Sequence, residues 1–183
     1  TTDDTAALQN AISYCIASGG RELVINAGVY LITTEITATI DAQLEQLHIR
    51  GAGNVILKCV PAATLTAFLN ISITSNHYAS GYSTGAPRCS IKNIEFAYAN
   101  ETTTALSSAL TISGSNITGL HTQMFVIEDC QFVPWTNTSN STLFDTFFSI
   151  AVVIDQLHEV SFRNCTFCGE HDQNAVGTLG QQG

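Results

Sequence analysis

Charge is scarce in this chain, and positive charge is scarcer still. Only 11% of the 183 residues are charged, with six Lys+Arg against fifteen Asp+Glu and a net charge of -9. A partner built on a phosphate backbone is excluded on that count, because too few cations are present to displace its counterions. Anionic membrane surfaces are excluded for the same reason. Long apolar runs are missing too: none approaches the roughly 20 residues that span a bilayer, and no charged segment followed by an apolar one opens the sequence. Membrane insertion is therefore not expected. The 45% of hydrophobic residues suffices for one well-filled core, so a single domain is expected. An abrupt start at Thr1-Thr2-Asp3-Asp4 and an end in Gly180-Gln181-Gln182-Gly183 fit a domain of a longer protein.

Metal chemistry finds little support. The six cysteines are Cys15, Cys59, Cys89, Cys130, Cys165 and Cys168. Cys165 and Cys168 have CxxC spacing, but a zinc site needs a second such pair and no other has that spacing. On a strand the two would point to opposite faces. Packing or an incidental disulfide is expected, with no metal and no cofactor.

Three segments superimpose: residues 90–96 (SIKNIEF), 126–132 (VIEDCQF) and 161–167 (SFRNCTF). Their closing residues Phe96, Phe132 and Phe167 recur at steps of 36 and 35. Ile91/Ile127/Phe162, Ile94/Cys130/Cys165 and Phe96/Phe132/Phe167 form three apolar columns, the pattern of a solenoid. Lys92, Glu128 and Arg163 fall in one outward column of alternating sign, an ion-pair ladder worth about 1 kcal/mol or less per pair. Asn93, Asp129 and Asn164 share a turn position, where side-chain amides bond one another and satisfy backbone groups. Glu128 and Asp129 are thereby read as scaffold.

Ahead of the repeats, residues 3–18 read as a helix. Asp3 or Asp4 is placed to cap it, Ala7, Leu8, Ala11, Ile12 and Cys15 make one apolar stripe, and Gly19-Gly20 ends it. Short alternating runs at 22–26, 28–33, 36–40, 44–49 and 54–59 read as strands. Further runs at 68–73, 109–113 and 148–154 each precede one repeat. Polar stretches at 75–88 and 136–142 read as surface loops.

The opening Thr2-Asp3-Asp4-Thr5-Ala6-Ala7-Leu8-Gln9-Asn10-Ala11-Ile12, followed by Gly28-Val29-Tyr30-Leu31-Ile32 and Gly51-Ala52-Gly53, resembles the start of the pectate-lyase-like β-helix superfamily. In that family a D-D-T-x-A-[IL]-Q-x-A-[IL] helix caps the coil, a G-x-Y-x-[IL] strand begins it, and a glycine-rich step follows. The motifs cover residues 1–59. The resemblance implies an all-β, right-handed parallel β-helix (a solenoid) with an N-terminal capping α-helix. Its parts would be a cap at 1–20, first coils at 21–66, three larger coils of about 35 residues at 67–172 and a tail at 173–183. Activity is not implied, because the family holds lyases, hydrolases, phage tailspikes and non-catalytic adhesins.

With the ladders set aside, few acids remain. Asp155, His158 and Glu159 lie in the bend before the third repeat, and Glu170, His171 and Asp172 follow its last strand. Glycosidic hydrolysis needs two carboxyls about 5 to 9.5 Å apart, one of them protonated. Asp155 with Glu159, or Glu170 with Asp172, supplies such a pair; both clusters are equally ordinary solvated turns. Glu95, His121 and His77 stand more isolated. Lyase chemistry needs calcium ligands and a base, and none of Arg21, Arg50, Lys58, Arg88, Lys92 and Arg163 sits beside a cluster of acids. A hydrolase is therefore expected ahead of a lyase.

Tyr78, Tyr82, Tyr98 and Trp135, with His158 and His171, are the candidate substrate-binding residues, since exposed rings receive the apolar faces of sugars. Trp135, beside Pro134, equally serves to cover the edge of a coil. Six N-x-S/T sequons occur, at Asn70, Asn100, Asn116, Asn137, Asn140 and Asn164, against about 2.5 by chance. Asn164, inside the repeat, is expected to be buried.

Three functions are compatible with these features. The first is an extracellular or virion-surface module of tailspike or tail-fibre type that engages, and in some cases depolymerises, a surface polysaccharide. The second is a non-catalytic structural or adhesive module, such as a stalk or filament subunit. A free glycoside hydrolase, the third, needs more coils. The expected partners are a glycan and further copies of the chain, as a trimer or a longer assembly.

Overall fold

The computed structural model describes residues 2–40, 46–60, 65–73, 89–99, 108–114, 124–135, 148, 150–157 and 159–168. Among them are one helix, α1 (Thr5–Ala17), and strands β1 (Glu22–Ile32), β2 (Ile36–Ile40), β3 (Leu47–Cys59), β4 (Ala67–Ile73), β5 (Cys89–Lys92) and β6 (Glu95–Tyr98). β7 (Ser108–Gly114), β8 (Met124–Glu128), β9 (Gln131–Pro134), β10 (Ile150–Asp155), β11 (Glu159–Arg163) and β12 (Thr166–Phe167) complete the order. The strand pairs are parallel. The described residues are thus mostly β, with parallel sheets and one short helix.

From β2 onward the chain passes back and forth between two sheets. The smaller runs β10-β7-β4-β2; the larger runs β11-β8-β5-β3-β6-β9-β12, with β1 also on β3. β3 appears once in that order yet carries two neighbours on one side. Its first half pairs with β5 (His48↔Ser90) and its second half with β6 (Leu57↔Phe96). The larger sheet therefore bends along a line through each coil.

That line is marked by Asn93, Asp129 and Asn164, whose φ angles are 53°, 54° and 50°. Left-handed backbone is costly for most L-residues, and Asn and Asp tolerate it best. The predicted turn ladder is present. Asn164 Nδ2 donates to Asp129 Oδ1 at 2.7 Å, and Asn93 Nδ2 donates to the carbonyls of Gly51 and Gly53 at 3.0 and 3.1 Å. Asn164 is exposed rather than buried, because its corner turns the side chain along the outer edge of the stack.

β1 and β3 each run unbroken where two strands were expected. Their pairing slips between Asn26 and Gly28 and then resumes, so a glycine-rich step bends the pair without ending it. Gly53, at φ 91°, provides the turn that Asn and Asp provide in later coils.

The core is built of the predicted columns. Leu57, Phe96, Phe132 and Phe167 are successive register partners, as are Ile49, Ile91, Ile127 and Phe162. Phe96 stacks on Phe132 at 5.2 Å and Phe132 on Phe167 at 5.0 Å, each with planes 5° apart. Each such ring or branched aliphatic side chain contributes about 1.5 to 3 kcal/mol by leaving water.

α1 closes the first coil, with Leu8, Ile12 and Ile16 turned into the core. Asp3 Oδ1 accepts from Thr5 N, and Asp4 Oδ2 accepts from Leu31 N at 2.9 Å. Thr5 Oγ1 accepts from Thr33 N, while Thr33 Oγ1 donates to Asp3 Oδ2. Gln9 Nε2 donates to Thr37 O and Gln9 Oε1 accepts from Thr37 N, both at 2.8 Å. One amide side chain thereby pairs with the edge of β2 as a strand would.

Candidate corner cleft

The bend in the larger sheet opens a small cleft on the outer surface. Gly53, Asn54 and Val55 form its floor in one coil, Asn93 and Glu95 in the next, and Asp129 and Gln131 in the one after, around about 40 Å³ of space. A volume of that order admits one hydroxyl or a water rather than a ring. Any sugar would have to lie across the mouth and send a substituent in.

Glu95 opens β6 directly after the corner, in register between Ile56 and Gln131. It is half-buried, and desolvation pushes its carboxyl above the ordinary glutamate value. Burial disfavours the charged form, so this acid holds its proton to higher pH than a solvated one. Asp129 is exposed on the adjacent corner and accepts the Asn164 amide. The cleft thus unites a carboxyl biased toward its protonated form with a second carboxyl one coil away.

Several predicted residues lie elsewhere. Asp155 ends β10, exposed, before Gln156 at φ 55°. That corner joins the two sheets, and β11, which Glu159 opens, separates it from the Asn164 corner. Tyr78, Tyr82, His158, Glu170, His171 and Asp172 lie outside the described residues.

Tyr98 corrects an expectation. It is 0% exposed, with its ring edge-on to Phe68 and Phe148 at 6.2 and 5.2 Å, and presents no face to a sugar. Its register, between Cys59 and Pro134, puts it on the inward side of the strand. Trp135 is half-buried, its backbone N–H donating to the Tyr98 carbonyl at 2.6 Å. Lys58 Nζ lies 4.5 Å from the indole centroid, so one ring face is already taken by a cation.

Along the sequence Glu95 stands isolated from other acids. The signal was the position two residues after each corner, filled by Glu95, Gln131 and Thr166, where a strand turns its side chain outward. Glu128 is scaffold as predicted, held by Lys92 Nζ at 2.7 Å. Arg50 grips Glu22 through two bonds of 3.1 and 3.2 Å, which lowers the Glu22 pKa.

All six cysteines are free thiols. Cys130 is buried and its thiol is pushed up to about 12 by desolvation, so it acts as a small core residue. Cys165 is half-buried and Cys168 exposed, and they flank β12 rather than lying on a strand. Among the described residues no group of three or more His, Cys, Asp or Glu comes together as a metal site. Likewise no described helix is long and apolar enough to cross a membrane. A cavity of about 20 Å³ beneath α1 is lined by Leu8, Ile12, Phe68, Phe96 and other core residues and is a seam in the packing.

No protein-family model matches the chain, and no curated protein matches it. Among solved structures, that of a putative glycosyl hydrolase from Parabacteroides merdae is similar to it at 14% identity and a TM-score of 0.36. The similarity covers 91% of this chain and 89% of that one. At that identity and score the likeness bears on neither fold nor activity.

Proposed function

We propose that the chain is a right-handed parallel β-helix that holds a glycan across its corner cleft and hydrolyses a glycosidic bond there. The observation that carries this reading is that Glu95, on β6, and Asp129, between β8 and β9, line one cleft. Glu95, desolvated, donates its proton to the departing glycosidic oxygen. Asp129, exposed on the neighbouring coil, either activates a water or attacks the sugar carbon, the two routes open to a pair of carboxyls. Asn54 and Gln131, both exposed at the cleft, offer amides to sugar hydroxyls. Asp155, Glu159, Glu170 and Asp172 as further carboxyls, and Tyr78, Tyr82, Trp135, His158 and His171 as further sugar contacts, belong to the same proposal.

Glu95→Gln keeps the shape and removes the acid. With a glycan that the wild type cleaves, release of reducing ends should fall about 10²- to 10⁴-fold while glycan affinity is kept. Unchanged turnover in Glu95→Gln would dismiss the assignment. An extracellular or virion-surface setting, supported by the six sequons and the low charge, belongs to the same proposal.

A non-catalytic structural module is the second reading. It is favoured by the last described coil, where Phe162 and Phe167 are 40% and 46% exposed, since stacking on another copy would cover them. Light scattering distinguishes the two: a strictly monomeric protein that cleaves glycan dismisses the structural reading.

A further inference from the structure

A serine and a histidine touch on the outward side of β3 and β5, away from the corner cleft. His48 Nδ1 lies 2.9 Å from Ser90 Oγ, and Gln46 Oε1 lies 3.3 Å from His48 Nε2. With Gln46 Oε1 as the acceptor at Nε2, the ring proton belongs on Nε2 and the Nδ1 lone pair faces the serine hydroxyl. Burial, helped by the Lys92 charge and opposed by Glu22, holds the imidazole below its usual pKa. The neutral ring is therefore the resting form near pH 7. Lys92, two residues beyond Ser90 on the same face, and Arg50, two beyond His48, carry the positive charge around the pair and are bonded to Glu128 and Glu22.

We propose that Ser90 is a nucleophile and His48 its general base, in a site that cleaves carboxylic esters with a small acyl group. A hydroxyl in contact with an imidazole lone pair is the minimum that acyl transfer requires. The size limit follows from the enclosure of Ser90, which is 6% exposed. Ser90 Oγ bonds to the acyl carbon as its proton passes to His48 Nδ1. The ester C–O bond then breaks and the leaving alkoxide takes that proton. Water, deprotonated by the same nitrogen, attacks the acyl-serine, releases the carboxylic acid and restores the hydroxyl. None of these steps uses Glu95 or Asp129.

The test is covalent labelling of the folded chain with a small alkyl fluorophosphonate, followed by peptide mass spectrometry. One adduct on Ser90 is expected, formed about 100-fold or more slowly in His48→Gln, together with hydrolysis of p-nitrophenyl acetate that Ser90→Ala abolishes. Wild-type protein with intact circular dichroism and no adduct on Ser90 would overturn the proposal. Labelling of Ser90 at an unchanged rate in a folded His48→Gln variant would overturn the base assignment. Localisation of the adduct in the wild type decides the nucleophile even where Ser90→Ala fails to fold.

Discussion

Ala38 in β2 and Ile154 in β10 belong to one column, joined through Ile71 and Ile112. Ala38 is 2% exposed under α1, and the two middle members are fully buried, whereas Ile154 is 41% exposed. The first coil is closed by a helix and five side-chain bonds from Asp3, Asp4, Thr5 and Gln9 to the strands beneath. The last described coil has the same inward pattern with Phe162 and Phe167 open. Burial here is set by the strands above and below as much as by the residue itself.

That contrast can be broken at several points. The largest difference should separate Phe132→Ala from Phe167→Ala. Phe132, 1% exposed between two stacked rings, should cost about 3 to 5 kcal/mol in urea unfolding. Phe167 should cost about 1 kcal/mol, since much of its ring already meets water. Equal losses would show that the last coil is covered in solution. Next comes Ile12→Ala on the buried face of the cap, at about 2 to 4 kcal/mol, a loss that the matching change at exposed Ile154 should not reproduce. Gln9→Ala, which strips two bonds from the edge of β2, should cost about 1 to 2 kcal/mol and speed amide exchange at Thr37 specifically.

The smallest effects are pH dependences, the first of them at the capped end. Bonds from Thr33 and Thr5 lower the Asp3 pKa below its ordinary 3.8. A depressed acid contributes stability above its unfolded pKa and loses it as pH falls through the folded one. The advantage of wild type over Asp3→Asn should therefore shrink below about pH 4 and stay flat above it. Glu95 has the opposite sign. Its raised pKa means that stability declines as pH rises from its ordinary value through the folded one, a dependence that Glu95→Gln should remove.

Much of this was legible in the sequence because spacing carries it. Phe96, Phe132 and Phe167 announce their stacking through a near-constant step, and Asn93, Asp129 and Asn164 announce a corner because few other residues accept that backbone. Asp3, Asp4, Thr5 and Gln9 were recognisable as a motif, yet their bonds to Leu31, Thr33 and Thr37 span 27 to 30 residues and have no local signature. The same holds at the site. Glu95 reads as a lone acid until the strand pairing sets it and Asp129 on one cleft, and Ser90 meets His48 only across a separation of 42 residues. Tyr98 was misjudged because four residues of β6 alternate too briefly to reveal which face an aromatic takes.

Gly51 carries a consequence out of proportion to its size. A methyl at that position would lie 2.1 Å from the carbonyl oxygen of Asn93 and 3.1 Å from Val55. The coil above rests directly on this spot, which works as a datum from which the height of the next layer is measured. Raising that layer would displace the Asn93 corner and carry with it the two strands that leave it, one bearing Lys92 and Ser90 and the other Glu95. A change at Gly51 would thus be felt as a misalignment of both outer-surface sites, although the glycine has no side chain to contribute to either.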